Sequence, residues 1–122
     1  MKDCAVLFTH ADQEYGILFD FEAYLALERR HGLTIAKFSR LLAETSAVAA
    51  QAGMLEGLEG YRRTFGKPSQ SYEVADVAKV VFGVGVIETC PMLARAMAAT
   101  YRREKGLGKD AEKKAPADQT TS

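Results

Sequence analysis

The stretch Phe19-Asp-Phe-Glu-Ala-Tyr-Leu-Ala-Leu-Glu-Arg-Arg-His-Gly32 marks both of its own ends, which leaves the neighbouring segments little freedom. Asp20 suits an N-cap, because its carboxylate accepts from backbone N–H groups that have no intrahelical partner. Phe19 before the cap and Tyr24 after it have the spacing of a hydrophobic staple, which fixes the angle at which the chain enters. Phe21, Tyr24 and Leu25 share one face. Glu22 near the start and Arg29, Arg30 and His31 near the end suit the helix dipole. Gly32 supplies the left-handed position at which many helices stop. A short amphipathic helix follows.

What flanks it is organised around it. Upstream, Ala5–His10 and Tyr15–Phe19 are β-prone runs around the polar Ala11-Asp-Gln-Glu14, a hairpin pattern without an Asn-Gly or Asp-Gly turn. Two strands alone are marginal in water, so the hairpin has to lie against helices. Downstream, Leu33 and Phe38 repeat the staple around Thr34, and Ile35, Phe38, Leu41 and Leu42 form a stripe expected to be buried. Glu44-Thr-Ser46 breaks that pattern, with Ser46 a new cap. Val48, Met54, Leu55, Leu58 and Tyr61 continue at helical spacing towards Phe65. Gly53, Gly57 and Gly60 lie inside this third helix, each at a cost of about 1 kcal/mol relative to Ala. With Ala49 and Ala50 they make a smooth surface that another backbone can approach, read here as tight packing within the domain.

Gly66-Lys-Pro-Ser-Gln70 reads as a loop. Ser71 is the expected cap of a fourth helix, with Glu73 in its first turn and Val74, Val77, Ala78, Val81 and Phe82 on its apolar face. Gly83-Val-Gly85 ends it. A last helix is expected from about Glu88 to about Arg103, with Pro91 in the first turn. Leu93, Met97 and Tyr101 should point inward beside Met92 and Ala96. Residues 106–122 are almost wholly polar and read as a flexible tail. The fold class expected is mainly α (α+β): residues 1–105 as one hairpin-plus-helices domain with about five short helices, and 106–122 as the tail.

Charge and composition narrow the function. Sixteen basic and sixteen acidic residues give zero formal charge, against the basic excess of a dedicated nucleic-acid binder. The N-terminus turns polar too soon for a signal peptide. No apolar run reaches the roughly 18–20 residues that span a bilayer, so a cytoplasmic protein without membrane contact is expected. Cys4 and Cys90 read as reduced thiols. Cys90 before Pro91 has a place open to it at a helix N-terminus, which lowers a thiol pKa, or in the core as a small hydrophobe.

The residues with chemical potential do not assemble into a site. Gly83-Val-Gly85 follows an apolar run as a dinucleotide fingerprint would, but position 88 is Glu where a third Gly belongs, and a carboxylate there repels pyrophosphate. A hinge between helices is the reading adopted. His10 at the hairpin tip and His31 at a helix end show no metal-ligand spacing with either cysteine. Glu28, Glu56 and Glu59 read as a solvated helix face balanced by Arg62 and Arg63. Arg102-Arg-Glu-Lys105 is a short basic cluster beside the tail. A helix-turn-helix over 21–42 would offer only Lys37, Ser39 and Arg40 for base readout. No catalytic, cofactor or metal residues are assigned.

The order of these signals resembles a known family, the tail assembly chaperones of long-tailed bacteriophages, prophages and gene transfer agents. The matching residues are Leu18-Phe-Asp-Phe-Glu-Ala-Tyr-Leu-Ala-Leu-Glu28 with Gly32, Met54-Leu-Glu-Gly-Leu58, Ser71-Tyr-Glu-Val-Ala75, and Gly85 before Ile87. They span roughly residues 5–104. Cys90-Pro91 and the tail have no counterpart in the pattern. The resemblance implies a small, non-enzymatic, mostly helical protein that binds the tape measure protein and holds it soluble while tail tube protein polymerises around it. It also implies possible self-association and, in some members, a longer frameshifted form. The partner-binding residues expected on the third helix are Met54, Leu55, Leu58 and Tyr61. The other readings are a small helical DNA-binding regulator, a nucleotide-binding module around Gly83–Gly85, or another protein-interaction domain.

Overall fold

A computed structural model of the chain describes residues 4–104. The expected tail, 106–122, lies outside the described residues, as do the side chains of the basic cluster at 102–105. The architecture is the expected one: an N-terminal antiparallel hairpin followed by five helices.

Strands β1 (Val6–His10) and β2 (Gln13–Ile17) pair from Val6 opposite Ile17 to His10 opposite Gln13. The turn is two residues long, shorter than the sequence suggests. Ala11 and Asp12 both take positive φ, 53° and 64°, as the primed hairpin turns require at both central positions. Gln13 and Glu14 are strand residues because ladder bonds use the backbone alone, whatever the exposed side chains are. Phe8 and Tyr15 stack across the strands at 5.1 Å.

Local signals place α1 (Phe21–His31), α2 (Ile35–Ala43) and α3 (Ala47–Phe65). Asp20 accepts from the Ala23 N–H at 2.9 Å, Thr34 from Lys37 at 3.2 Å and Ser46 from Ala49 at 3.2 Å. Each such cap stabilises a helix by about 1 kcal/mol. Phe19 and Tyr24 stack at 5.6 Å, closing the staple. Gly32 sits at φ 68°, and the following Leu33 N–H returns to the Leu27 carbonyl at 3.0 Å in a left-handed glycine stop. Helix α2 ends in a Schellman stop with Thr45 in the left-handed position, φ 58°, the Ser46 N–H on the Leu41 carbonyl and the Thr45 N–H on that of Leu42. A β-branched residue is strained there.

Helix α3 is the spine, and β2 and the other four helices all pack on it. Its glycines are the reason they come so close. The Leu18 N–H donates to the Gly57 carbonyl at 3.0 Å, and a Cβ on Gly60 would run into the Leu18 carbonyl oxygen. A Cβ on Gly53 would meet the Phe38 ring at 2.6 Å and Leu93 at 2.7 Å. The glycine surface is therefore internal packing, as its sequence suggests.

The last two helices depart from expectation. Helix α4 (Val74–Val84) starts after Glu73, not at Ser71, and has no side-chain cap. The backbone before it is held instead by the spine, because the Tyr72 N–H donates to the Glu59 carboxylate at 2.6 Å. Gly85, φ 99°, separates α4 from α5 (Val86–Glu104), and the two axes bend by 108°. With only one residue in the hinge, α5 starts earlier than expected. Pro91 then falls in its second turn, and the Ile87 carbonyl loses its intrahelical donor. No single helix among the described residues is long and apolar enough to cross a membrane.

Candidate apolar groove and the buried carboxylates

The four residues expected to meet a partner are positioned against that role. Met54 and Leu58 are fully buried, Leu55 is 8% exposed, and the half-buried Tyr61 covers Gly16 and packs on Phe65. Met54, Leu55 and Leu58 are core because β2 and α1 close over the glycine face that carries them, and only Tyr61 keeps part of its surface.

The exposed apolar surface lies elsewhere. Ile35 and Tyr101, expected to be buried or to point inward, are 54% and 57% exposed, and Phe21, expected only to share a face with Tyr24 and Leu25, is 67% exposed. Together with Ile87, 77% exposed, they rim an open groove of about 730 Å³ between α2 and α5, with the start of α1 at one side. The buried Leu42 and the half-buried Met97 line it together with exposed small residues including Ser39, Ala43, Pro91, Ala94 and Ala98. The inward sides of the same helices are carried by Ala23 and Leu27, by Phe38 and Leu42, and by Leu93 and Ala96. The apolar stripe of each helix is thus wider than the core it faces. On α4 the same holds: Val77, Val80 and Val81 are buried, while Val74 and Phe82 are exposed.

A second cluster overturns the reading of the spine's glutamates as a solvated face. Glu56 is 1% exposed and Glu59 8%. Burying a carboxylate costs several kcal/mol unless it is compensated, and both are. Glu56 Oε2 lies 2.9 Å from His31 Nε2 and 3.5 Å from an Arg30 guanidinium nitrogen. Glu59 takes two bonds from Arg62, at 2.8 and 2.9 Å, besides the Tyr72 N–H. His31 is thus more than a dipole partner; it ties the end of α1 to the spine. Arg63 grips the Asp20 cap with two bonds, 2.8 and 3.1 Å, and reaches Glu22 at 3.4 Å. Asp20, and to a lesser degree desolvation in the opposite sense, sets the Arg63 pKa, which is raised. Burial foremost, then Tyr15 and Glu59, raises that of the Tyr72 phenol. Chemically these are anchored ion pairs: those of Glu56 and Asp20 join α1 or its cap to α3, and Glu59–Arg62 lies within α3.

Cys90 is buried in the wall of the groove, its thiol 3.7 Å from the Ser46 carbonyl. Desolvation raises its pKa. The helix N-terminus that would have lowered it starts at Val86, one turn too early to reach the sulfur. Cys4 is also buried with a free thiol. The His10 ring lies over Gly83, where an added Cβ would force it aside, so this glycine serves packing within α4 and Gly85 alone forms the hinge. Among the described residues no three His, Cys, Asp or Glu side chains converge as a metal-ligand set. Helix α1 rests mainly on α3, and α2 on α5 and α3; the mutual packing of a helix-turn-helix pair is not their principal contact.

No protein-family model, no curated protein and no solved structure matches this chain.

Proposed function

We propose that this domain is a phage-type tail assembly chaperone that binds helical stretches of a tape measure protein in the groove between α2 and α5. It acts without chemistry, in the bacterial cytoplasm, and holds its partner soluble until tail tube protein polymerises around it. The order of caps, stops and apolar positions in residues 18–87 supports the family, and the groove is the observation that carries the mode of binding. An open, half-enclosed apolar channel with four large exposed hydrophobics on its rim fits the apolar face of an amphipathic helix. A solvent-facing patch of this kind on a folded domain is characteristic of an interaction surface.

Co-expression with a tape measure protein, which this reading expects to be encoded beside the domain, tests it. The wild-type domain should move that protein into the soluble fraction and co-purify with it, and Ile87→Asp should abolish both effects while leaving the domain folded. A tape measure protein that stays insoluble beside the wild-type domain would refute the proposal.

A further inference from the structure

Helices α4 and α5 are two halves of one helix, broken at a single residue. Gly85 takes φ 99° and ψ 139°, a backbone conformation that L side chains rarely adopt. Its own hydrogen bonds are still helical. Its N–H donates to the Val81 carbonyl at 2.7 Å, and its carbonyl accepts from the Thr89 N–H at 2.8 Å. The break removes three bonds. Among the described residues the carbonyls of Phe82, Gly83 and Val84 take no backbone donor, and the N–H groups of Val86, Ile87 and Glu88 find no backbone acceptor. These six groups match one to one at the four-residue spacing of an α-helix. What holds the bend is burial: Leu93 and Ala96 are wholly enclosed, with α5 resting on α3 and α2.

We infer that Gly85 is the hinge of a domain swap, which on straightening hands α5 to a second copy of this chain and takes that copy's α5 in return. With Gly85 helical, α4 and α5 become one rod from Val74 to Glu104, about 46 Å long. At about 100° per residue, the buried face of its first half (Val77, Val80 and Val81) and that of its second (Leu93, Ala96 and Thr100) point about 140° apart. The second half then faces away from the core it left and towards a body on the far side of the rod. Shape identifies that body: the seat vacated by α5 fits α5, and only another copy of the chain brings one. Every contact of α5 is re-formed between copies, and each hinge gains its three missing bonds. Dilution favours the bent monomer, because only pairing supplies a second seat. In the swapped pair each groove is composite, with α2 from one copy and α5 from the other. The exchange is independent of what the groove binds.

Gly85→Ala tests this in the full-length chain, because alanine is strained at φ 99° and favoured inside a helix. At equal protein concentration, light scattering on a sizing column should show the ratio of dimer to monomer raised about ten-fold or more, the least that relief of such strain gives. Circular dichroism should show no loss of helix. A photo-crosslinker at Ser39, which lines the groove across from Ala94 and Ala98, reads the topology. In dimers refolded from a mixture of isotopically heavy and light chains, its crosslinks to α5 should join heavy chains to light ones. A folded Gly85→Ala that stays monomeric overturns the inference, and so do dimers whose crosslinks from Ser39 to α5 remain within one chain. If Gly85→Ala does not fold, wild-type chain refolded from the same mixture at about 1 mM decides. Heavy-to-light crosslinks to α5 then support the swap, and crosslinks within single chains alone overturn it.

Discussion

Helices α3 and α5 have the same length, 19 residues, and opposite relations between composition and exposure. From Ala49 to Gly60 almost every position of α3 is buried, two glutamates included. Helix α5 lacks that cover, and Ile87 and Tyr101 stand in solvent. The difference teaches that burial follows from how many neighbours an element has, not from how apolar it is. The spine is packed on all sides because its glycines let β2, α1 and α2 approach, and its charges are acceptable because cations come with those neighbours. Among the described residues the groove side of α5 is left open beyond its contact with α2.

The sharpest way to break the contrast is to take away the spine's smoothness. Gly60→Ala places a methyl group on the Leu18 carbonyl, which belongs to backbone and cannot step aside. A loss of about 3 kcal/mol or more is expected from overpacking against a rigid neighbour, read as a lower midpoint in urea. Next in size is the polar side of the same helix. His31→Leu leaves the Glu56 carboxylate with only the largely exposed Arg30, and should cost about 2–3 kcal/mol. Adding Glu56→Met should recover part of it, since a buried pair replaced as a unit is cheaper than one broken. A double mutant no better than His31→Leu would show that the pair contributes little.

Smaller effects belong to the groove side. Thr45→Gly, at the left-handed stop of α2, should raise stability by about 1 kcal/mol through relief of backbone strain. Burial of Cys90 gives a pH effect of known sign. Its folded pKa is raised, so its contribution is complete below the unfolded thiol value, about 8.5, and is lost as pH climbs through the folded one. Wild-type stability should therefore fall above about pH 8.5 more steeply than that of Cys90→Ala, as denaturant titrations at pH 7 and 9.5 would show. Last, Ile87→Asp should change stability by no more than about 0.5 kcal/mol. A large loss there would mean that the groove is closed in solution.

How much of this was legible follows from the range of each interaction. Asp20, Thr34, Ser46 and Gly32 act on amides within one turn, so their residue types announce them. Glu56 and Glu59 could not be read as buried, because His31 lies 25 residues from Glu56 and Arg30 26. The Arg62 beside Glu59 looked like a surface pair. Ser71 met the local rule for a cap, yet the Glu59 carboxylate takes the neighbouring Tyr72 N–H and delays the helix to Val74. For the groove, periodicity in Phe21, Ile35 and Tyr101 reported an apolar face correctly but says nothing about what covers it. The signal available was excess: the stripes of α1, α2, α4 and α5 together hold more large apolar side chains than one domain of this length encloses.

The seat of the hairpin on the spine also orders events in time. The Asp20–Arg63 pair spans 43 residues, and Leu18 donates its N–H to Gly57. The hairpin leaves the ribosome before α3 does, so it has nothing to rest on until α3 has been made. Early in synthesis Ile17, Leu18 and Phe19 are a bare apolar strip, and late in synthesis they are the latch that shuts the domain. Made before the spine, the hairpin is secured only after it.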